Sequence, residues 1–189
     1  MGQDRLTPLS PTLWRTCRAL ANRQRLRLLR HVISHRDVSV SVAAQSERMK
    51  ISAASQYLRA LNARGLLRAR RRGREVLYAA VHNPSIPETR ILLTALKEAF
   101  QEQDSSIDRI FRALTAFTHP RRIALIRAVA GGPEDLPSIR KKTGIPSNAA
   151  LRHLKKLCRR GCIAKANDKY QYQPSPEPVM RALTRLVSR

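Results

Sequence analysis

The chain has 189 residues, and its 37 lysines and arginines outnumber its 13 aspartates and glutamates, so the formal net charge at pH 7 is +24. Positive charge on this scale repels itself in a compact chain and is typical of proteins that bind a polyanion, with nucleic acid favoured over a membrane surface. Three cysteines argue against a disulfide framework, and no run of the sequence approaches the roughly 18 apolar residues of a membrane-spanning helix, so the sequence excludes both of those classes.

The N-terminal segment, MGQDRLTPLSPT, lacks the apolar stretch of a secretory signal peptide, and we expect a cytoplasmic protein. Ser10 and Pro11 suit the cap and the first position of a helix. The apolar residues that follow, Leu13, Trp14 and Cys17, have the spacing of one face of a helix. The sequence therefore predicts a first amphipathic helix that begins at Ser10 and Pro11.

Three further helices are predicted along the first half of the chain. Asn22 suits the cap of a helix that runs to residue 33. Residues 38–48 begin as extended chain, in VSVSV, and then form a short helix. After a break at residues 49–51, a helix is predicted over residues 52–64, with its apolar side chains spaced to face inward.

A basic hairpin follows these helices. Gly65 suits the position that ends a helix, and residues 66–71 and 75–80 are predicted as two strands joined by a tight turn at residues 72–74. Helices followed by a hairpin in this order are typical of a winged helix-turn-helix. In that fold a helix of about ten to twelve residues enters the major groove of DNA, while the hairpin reaches the phosphates or the minor groove.

The second half of the chain repeats the first. Residues 13–32, LWRTCRALANRQRLRLLRHV, match residues 110–129, IFRALTAFTHPRRIALIRAV, in apolar spacing and in several arginines. After a one-residue slip the match resumes between residues 53–65 and 149–161. A period of about 97 residues is far longer than the roughly 20–50 residues of a solenoid repeat, so the sequence predicts two tandem small domains.

The second copy has the same predicted elements as the first. Ser105–Asp108 form a capping box ahead of its first helices. A short helix is predicted over Leu136–Thr143 and is closed by Gly144, and Ser147–Arg160 is the counterpart of the groove-reading helix. A shorter hairpin then turns at Asn167–Asp168.

Three stretches of the first copy share their spacing with one protein family. Residues 20–29 keep its leucine and arginine-leucine pattern, and residues 55–67 keep Ser-x-x-Leu-x-x-Leu leading to Gly-Leu-Leu. Residues 72–78 keep the Arg-Gly-Arg turn and its tyrosine. Over residues 13–81 the chain resembles the ArsR/SmtB-type winged-helix transcriptional regulators, with Tyr57 where the family has a histidine. The resemblance implies a DNA-binding regulator, with repression as the expected action.

The resemblance also implies where a sensed metal ion would bind. The Cys-x-Cys that some members carry falls at Ser39 and Ser41, and residues 88–103 lack the Asp and His set that other members use. Hydroxyl groups are poor ligands for soft metals, so no metal or other cofactor is expected. Cys17 and Cys162 stand where the other copy has leucine, and we interpret them as small buried apolar residues.

Two amphipathic helices are predicted beside the second copy. They divide the chain into a winged helix at residues 10–82, a linker helix at 83–104, a second winged helix at 105–175 and a C-terminal helix at 176–189. Either each helix packs on its own domain, or the helices form the dimerisation surface that the resemblance implies. Such a surface would join two chains as a homodimer or the two halves of one chain as a pseudo-dimer. The expected fold class is mainly α with small β-hairpins (α+β), as two tandem winged helix-turn-helix domains.

The candidate DNA contacts lie on the predicted groove-reading helices and the first wing. Glutamine pairs with adenine and serine is a permissive base contact, while basic residues at a helix start or on a wing suit phosphates. In the first copy these residues are Lys50, Ser52, Ser55, Gln56, Arg59, Arg70, Arg71, Arg72 and Arg74. The second copy offers Asn148, Arg152, Lys155 and Lys156. Leu151 takes the place of Ser55, so DNA reading by the second copy stays open.

The leading hypothesis is a sequence-specific double-stranded DNA-binding regulator of transcription without a catalytic site. The alternative is a winged-helix interaction module that binds RNA or an acidic protein. An enzyme is disfavoured, because the sequence contains no glycine-rich phosphate loop, no nucleophile and base pair, and no carboxylate pair in a recognisable spacing.

Overall fold

The computed structural model describes residues 12–101 and 106–188. Within these ranges the chain is mainly helical, with ten α-helices and two small antiparallel sheets, which agrees with the expected class of helices with small hairpins. The predicted helix start at Ser10 and Pro11 and the first residue of the predicted capping box, Ser105, lie outside the described residues. None of the described helices is long and apolar enough to cross a membrane.

The first half of the described chain contains five helices and a three-stranded sheet. Its elements are α1 (Leu13–Leu20), α2 (Arg23–Ser34), β1 (Val38–Ser39), α3 (Val40–Ser46), α4 (Ile51–Asn62), β2 (Arg68–Arg72), β3 (Glu75–Ala79) and α5 (Pro87–Gln101). Asn22 caps α2 as predicted, since its Oδ1 accepts a hydrogen bond from the Arg25 backbone N–H at 2.9 Å. Gly65 has a φ of +72°, and the Leu66 N–H donates to the Leu61 carbonyl at 3.2 Å, so the chain leaves α4 at the expected glycine.

The second half follows the same order of helices and ends in its own hairpin and helix. Its elements are α6 (Ser106–Ala116), α7 (Pro120–Val129), α8 (Leu136–Thr143), α9 (Ser147–Arg159), β4 (Ile163–Ala166), β5 (Lys169–Tyr172) and α10 (Pro178–Val187). Gly144 closes α8 with a φ of +66°. Asn167 and Asp168 have φ values of +46° and +58°, the geometry of a two-residue hairpin turn. Both features confirm the predicted ends of these elements.

Each hairpin has an additional strand partner that was not predicted. In the first sheet the strand order is β1-β3-β2, and β1 pairs antiparallel with β3 through Val38 and Tyr78. In the second half a bridge joins Glu134 and Tyr170 through two backbone hydrogen bonds of 2.9 and 2.7 Å. The sequence predicted extended chain from residue 38, and the structure limits it to Val38–Ser39, but neither its pairing with β3 nor the bridge at Glu134 was predicted. The first hairpin thus pairs with the segment before α3, and the second hairpin pairs with the segment before α8.

One apolar core runs through both halves of the described chain. Helix α1 contacts α6, and α5 contacts α10, so each of these helices touches its counterpart in the repeat. Leu92 and Leu96 of α5 are buried, as are Val179 and Leu183 of α10. The two predicted amphipathic helices therefore bury their apolar faces across the two halves, in addition to packing on their own half.

The structure confirms that Cys17 and Cys162 are buried apolar residues, with 0% and 1% of their surface exposed. Burial raises the pKa of the Cys162 thiol to about 12 and also raises the pKa of Cys17. The Cys162 thiol lies 3.3 Å from the sulfur of Met180. Thiols that stay protonated among apolar neighbours act as packing groups.

Candidate nucleic-acid interface

Helix α4 presents a polar face to solvent because its apolar residues are used on the opposite side. Ala54, Leu58 and Leu61 are buried and anchor the helix, which packs on α2 and α3. Gln56 lies between these anchors and points outward. The predicted contacts Lys50, Ser52, Gln56 and Arg59 are exposed, and Ser55 is half-buried. The structure thus places the predicted base-contacting residues on one accessible helix face.

The first hairpin carries a dense strip of positive charge, since β2 is exposed along its whole length. Arg70 forms a two-bond ion pair with Asp37, in which Nη2 lies 2.6 Å from Oδ2 and Nε lies 2.9 Å from Oδ1. The Arg70 guanidinium lowers the pKa of the Asp37 carboxyl. The side chains of Arg71, Arg72 and Arg74 are exposed and make no hydrogen bond or ion pair with the described residues. Three of the four wing arginines are therefore open to an external anion.

Asp37 was not among the predicted site residues. It lies between α2 and β1 with a φ of +53°, and 33 positions separate it from Arg70. The pairing of β1 with β3 brings this segment beside the hairpin, and that pairing was itself not predicted. No local spacing in the sequence connects the two residues, so the neutralisation of Arg70 could be seen only in three dimensions.

Helix α9 has the same division between a buried and an exposed face. Ala150, Leu154 and Leu157 are buried, while the predicted contacts Asn148, Arg152, Lys155 and Lys156 are exposed. Partial burial of Lys156 and the nearby guanidinium groups of Arg122 and Arg160 lower its pKa. The exposed face of α9 is thus more positively charged than that of α4, and Leu151 adds an apolar side chain that is 42% exposed.

The second hairpin carries less free positive charge than the first. Lys165 pairs with Asp168 across the turn, with Nζ 2.8 Å from Oδ1, and this carboxylate raises the pKa of the lysine. Lys169 is exposed. Part of the positive charge on this hairpin is therefore neutralised by its own Asp168.

A pair of histidines packs beneath α9. The His119 and His153 ring centroids lie 4.7 Å apart, and His153 is buried. Burial lowers the pKa of His153 to about 4, and the positive groups around it, His119, Arg122, Arg152 and Arg121, act in the same direction. His153 is therefore neutral at pH 7 and acts as a packing residue. His119 Nδ1 accepts the Arg121 backbone N–H at 3.1 Å and so caps α7.

Tyr57 occupies the matching place in the first half. Its ring lies 4.9 Å from the Arg25 guanidinium, and its hydroxyl donates to Gln24 Oε1 at 3.2 Å. The side chain is half-buried. Tyr57 and His153 thus fill equivalent positions, Tyr57 between α4 and α2 and His153 between α9 and the start of α7.

Ser39 has a structural role at the start of α3. Its Oγ accepts the Val42 backbone N–H at 3.3 Å, which caps α3, and lies 2.9 Å from the Ser41 Oγ. Within residues 12–101 and 106–188 no three His, Cys, Asp or Glu side chains come together as a metal-binding group. The two hydroxyl groups therefore serve the helix start in this structure.

A cavity of about 410 Å³ lies between the two halves, where α1, α5, α7 and α10 meet. Its wall is mainly apolar and includes Trp14, Leu92 and Ile123, together with Glu88 and Arg127. None of the predicted nucleic-acid contacts lines it. The cavity is therefore separate from the basic surface and has the mixed apolar and polar wall of a small-molecule pocket.

The chain matches no protein-family model, no curated protein and no solved structure. Inference about its function therefore depends on two features of the described residues. One is the exposed polar face of α4 beside three unpaired wing arginines, and the other is the more basic face of α9.

Proposed function

We propose that the chain is a sequence-specific double-stranded DNA-binding regulator of transcription, built from two tandem winged helix-turn-helix units. The observation that carries this proposal is the exposed face of α4, with Gln56 at its centre, followed by a hairpin on which Arg71, Arg72 and Arg74 are unpaired. Base contacts from a helix and phosphate contacts from an adjacent wing are the two parts that such recognition needs.

Helix α4 has dimensions that suit the major groove. Its 12 residues span about 18 Å, and its buried side keeps the helix fixed on α2 and α3. Gln56 is positioned to pair with adenine, while Ser52 and Arg59 flank it on the exposed face. Lys50 directly precedes the helix, where a phosphate is favoured by the backbone N–H groups.

The second unit is proposed to add affinity more than sequence preference. On α9, Arg152 stands at the position that Gln56 has on α4, and Lys155 and Lys156 extend the positive charge. Long cationic side chains reach phosphates without regard to base sequence. The basic residues of α9 are therefore expected to contact the DNA backbone, whereas the polar residues of α4 read bases.

The contacts between the halves support an intrachain pseudo-dimer. In a two-fold symmetric interface the same surface of both subunits meets, so elements close to the axis contact their own counterparts. Helices α1 and α6 meet in this way, and so do α5 and α10. One chain therefore presents two DNA-binding units in the manner of a dimer, and the proposed protein acts as a regulator of the ArsR/SmtB type, with repression as its expected action.

Titration of the purified chain with duplex DNA and with single-stranded RNA, at 50 and 200 mM salt, tests the proposal. Six to ten phosphate contacts imply a loss of about 10³–10⁵ in duplex affinity between these salt concentrations. Selection from random duplexes should also yield a preferred sequence. Tighter binding to the RNA, or a duplex affinity that does not respond to salt, would favour the interaction module that the net charge of +24 also suits.

A further inference from the structure

Exposed aliphatic side chains are concentrated on the helices of the two proposed DNA-binding units. Among the described residues the exposed large hydrophobic side chains are Val42, Ile51, Val81 and Leu151, with 51%, 62%, 37% and 42% of their surface accessible. Ile51 begins α4, Leu151 lies on α9, and Val42 lies on α3. Val81 alone follows a strand. The chain therefore leaves apolar groups in water on the surfaces where polar base contacts are expected.

The two groove-reading helices carry this apolar group at different positions. In the register of the repeat, Ile51 corresponds to Ser147, and Leu151 corresponds to Ser55. At these two matched positions, which are four residues apart, each helix thus has one exposed aliphatic residue and one serine, and their order is reversed between the helices. Residues four apart lie on the same helix face, one turn from each other. Neither aliphatic residue belongs to the buried core, because Ile51 is 62% and Leu151 is 42% exposed.

We propose that Ile51 and Leu151 are specificity-determining residues that each contact the C5 methyl group of a thymine in the major groove. The inference rests on the proposed function. Thymine is the base that presents a methyl group at the edge of this groove, and an aliphatic side chain is its natural contact. Contact removes both apolar surfaces from water, which favours binding. The phosphate contacts that hold the helices there are supplied by Lys50 before α4 and by Arg152, Lys155 and Lys156 on α9.

The shift in position has a consequence for the DNA site. Four residues correspond to about 6 Å along a helix. If the two helices enter the groove in the same orientation, the two units contact thymines at different places in their half-sites. A preferred site that is asymmetric between its halves is the expected outcome of selection from random duplexes.

Replacement of each thymine of the selected duplex by deoxyuridine tests the contact, since deoxyuridine pairs with adenine but lacks the methyl group. At two positions the replacement should weaken binding by the wild-type chain about three- to fivefold, the effect of one methyl group removed from an apolar contact. Ile51→Ala should abolish the penalty at one position, and Leu151→Ala should abolish it at the other. Val81→Ala is the matched control and should keep both penalties.

The outcomes separate this inference from the function on which it rests. Salt-dependent duplex binding with the same affinity for every deoxyuridine duplex overturns the methyl contacts and leaves the proposed function standing. Penalties that persist in both alanine variants overturn the assignment to Ile51 and Leu151. Absence of duplex binding overturns both proposals. Thermal unfolding of the variants checks that the exposed substitutions leave the fold unchanged.

Discussion

Arg25 and Arg122 make equivalent hydrogen bonds in the two halves of the chain. Arg25 donates from Nη1 to the Ala19 carbonyl, and Arg122 donates from Nε to the Ala116 carbonyl at 2.8 Å. Each arginine thus reaches back six residues, from the second helix of its half to the end of the first. The hydrogen bond fixes the corner between the two helices of each half. This role explains why Arg122 lies on the core side of α7, with only 6% of its surface exposed.

Loss of the buried arginine should destabilise the protein more than loss of its counterpart. Arg122→Met should lower the free energy of unfolding by about 2–3 kcal/mol, because charge-assisted hydrogen bonds to Ala116 and Thr118 are lost inside the core. Arg25→Met should cost about 1 kcal/mol, since Arg25 is half-buried and water can replace it. Urea unfolding measures both, with the exposed Arg121→Met as a control that changes stability by less than about 0.5 kcal/mol. Equal losses in all three variants would argue against the buried bond.

Release of Arg70 from Asp37 should strengthen DNA binding. Asp37→Asn removes the carboxylate that neutralises this wing arginine, so affinity for all duplexes should rise and the salt dependence should steepen by about one unit of slope. Arg70→Ala should have the opposite effect, because Asp37 is then an unpaired negative charge beside the phosphates. The double variant Asp37→Asn with Arg70→Ala restores the original charge balance and should bind like the wild type. Unchanged affinity in Asp37→Asn would show that the wing does not approach the phosphates at this point.

The two groove-reading helices should respond differently to equivalent substitutions. Gln56→Ala should relax the preference at one or two base pairs, a discrimination of about 1–3 kcal/mol, because it removes a base contact. Arg152→Ala should weaken binding to selected and scrambled duplexes alike, as should Arg72→Ala on the wing. Fluorescence anisotropy with both duplexes measures the two effects. Loss of preference in Arg152→Ala, with the preference kept in Gln56→Ala, would reverse the assigned roles.

Stability should fall in mild acid because of His153. Its pKa is about 4 in the folded chain, below its ordinary value near 6.5, so the unfolded chain takes up a proton first as the pH drops. The free energy of unfolding should therefore decrease between about pH 6.5 and pH 4, by up to about 1.4 kcal/mol per pH unit from this group. Urea unfolding at several pH values measures the slope. His153→Tyr, which copies Tyr57 of the first half, should reduce it. An equal slope in His153→Tyr would assign the acid sensitivity to other groups.

Local signals in the sequence were enough to place most of the helices and both hairpins. Asn22 caps α2 by bonding a backbone N–H three residues away, and Gly144 ends α8 through its own positive φ. The exposed face of α4 was also predictable, because Ala54, Leu58 and Leu61 mark the opposite face by their spacing. These features depend on residues about one helical turn apart. Residues that are so close in sequence can be recognised as neighbours without a structure.

The contacts between distant segments required the folded chain. Asp37 and Arg70 are 33 residues apart, and Arg23 and Asp108 are 85 apart, yet each pair is joined by an ion pair of 2.6 Å. The pairing of α1 with α6 and of α5 with α10 is of the same kind. The sequence by itself determined which helices and turns each half contains, because the preferences that form them act over a few residues and occur in both copies of the repeat. The availability of a wing arginine and the joining of the two halves were decided by packing, because they depend on which apolar faces and charges meet once both halves have folded.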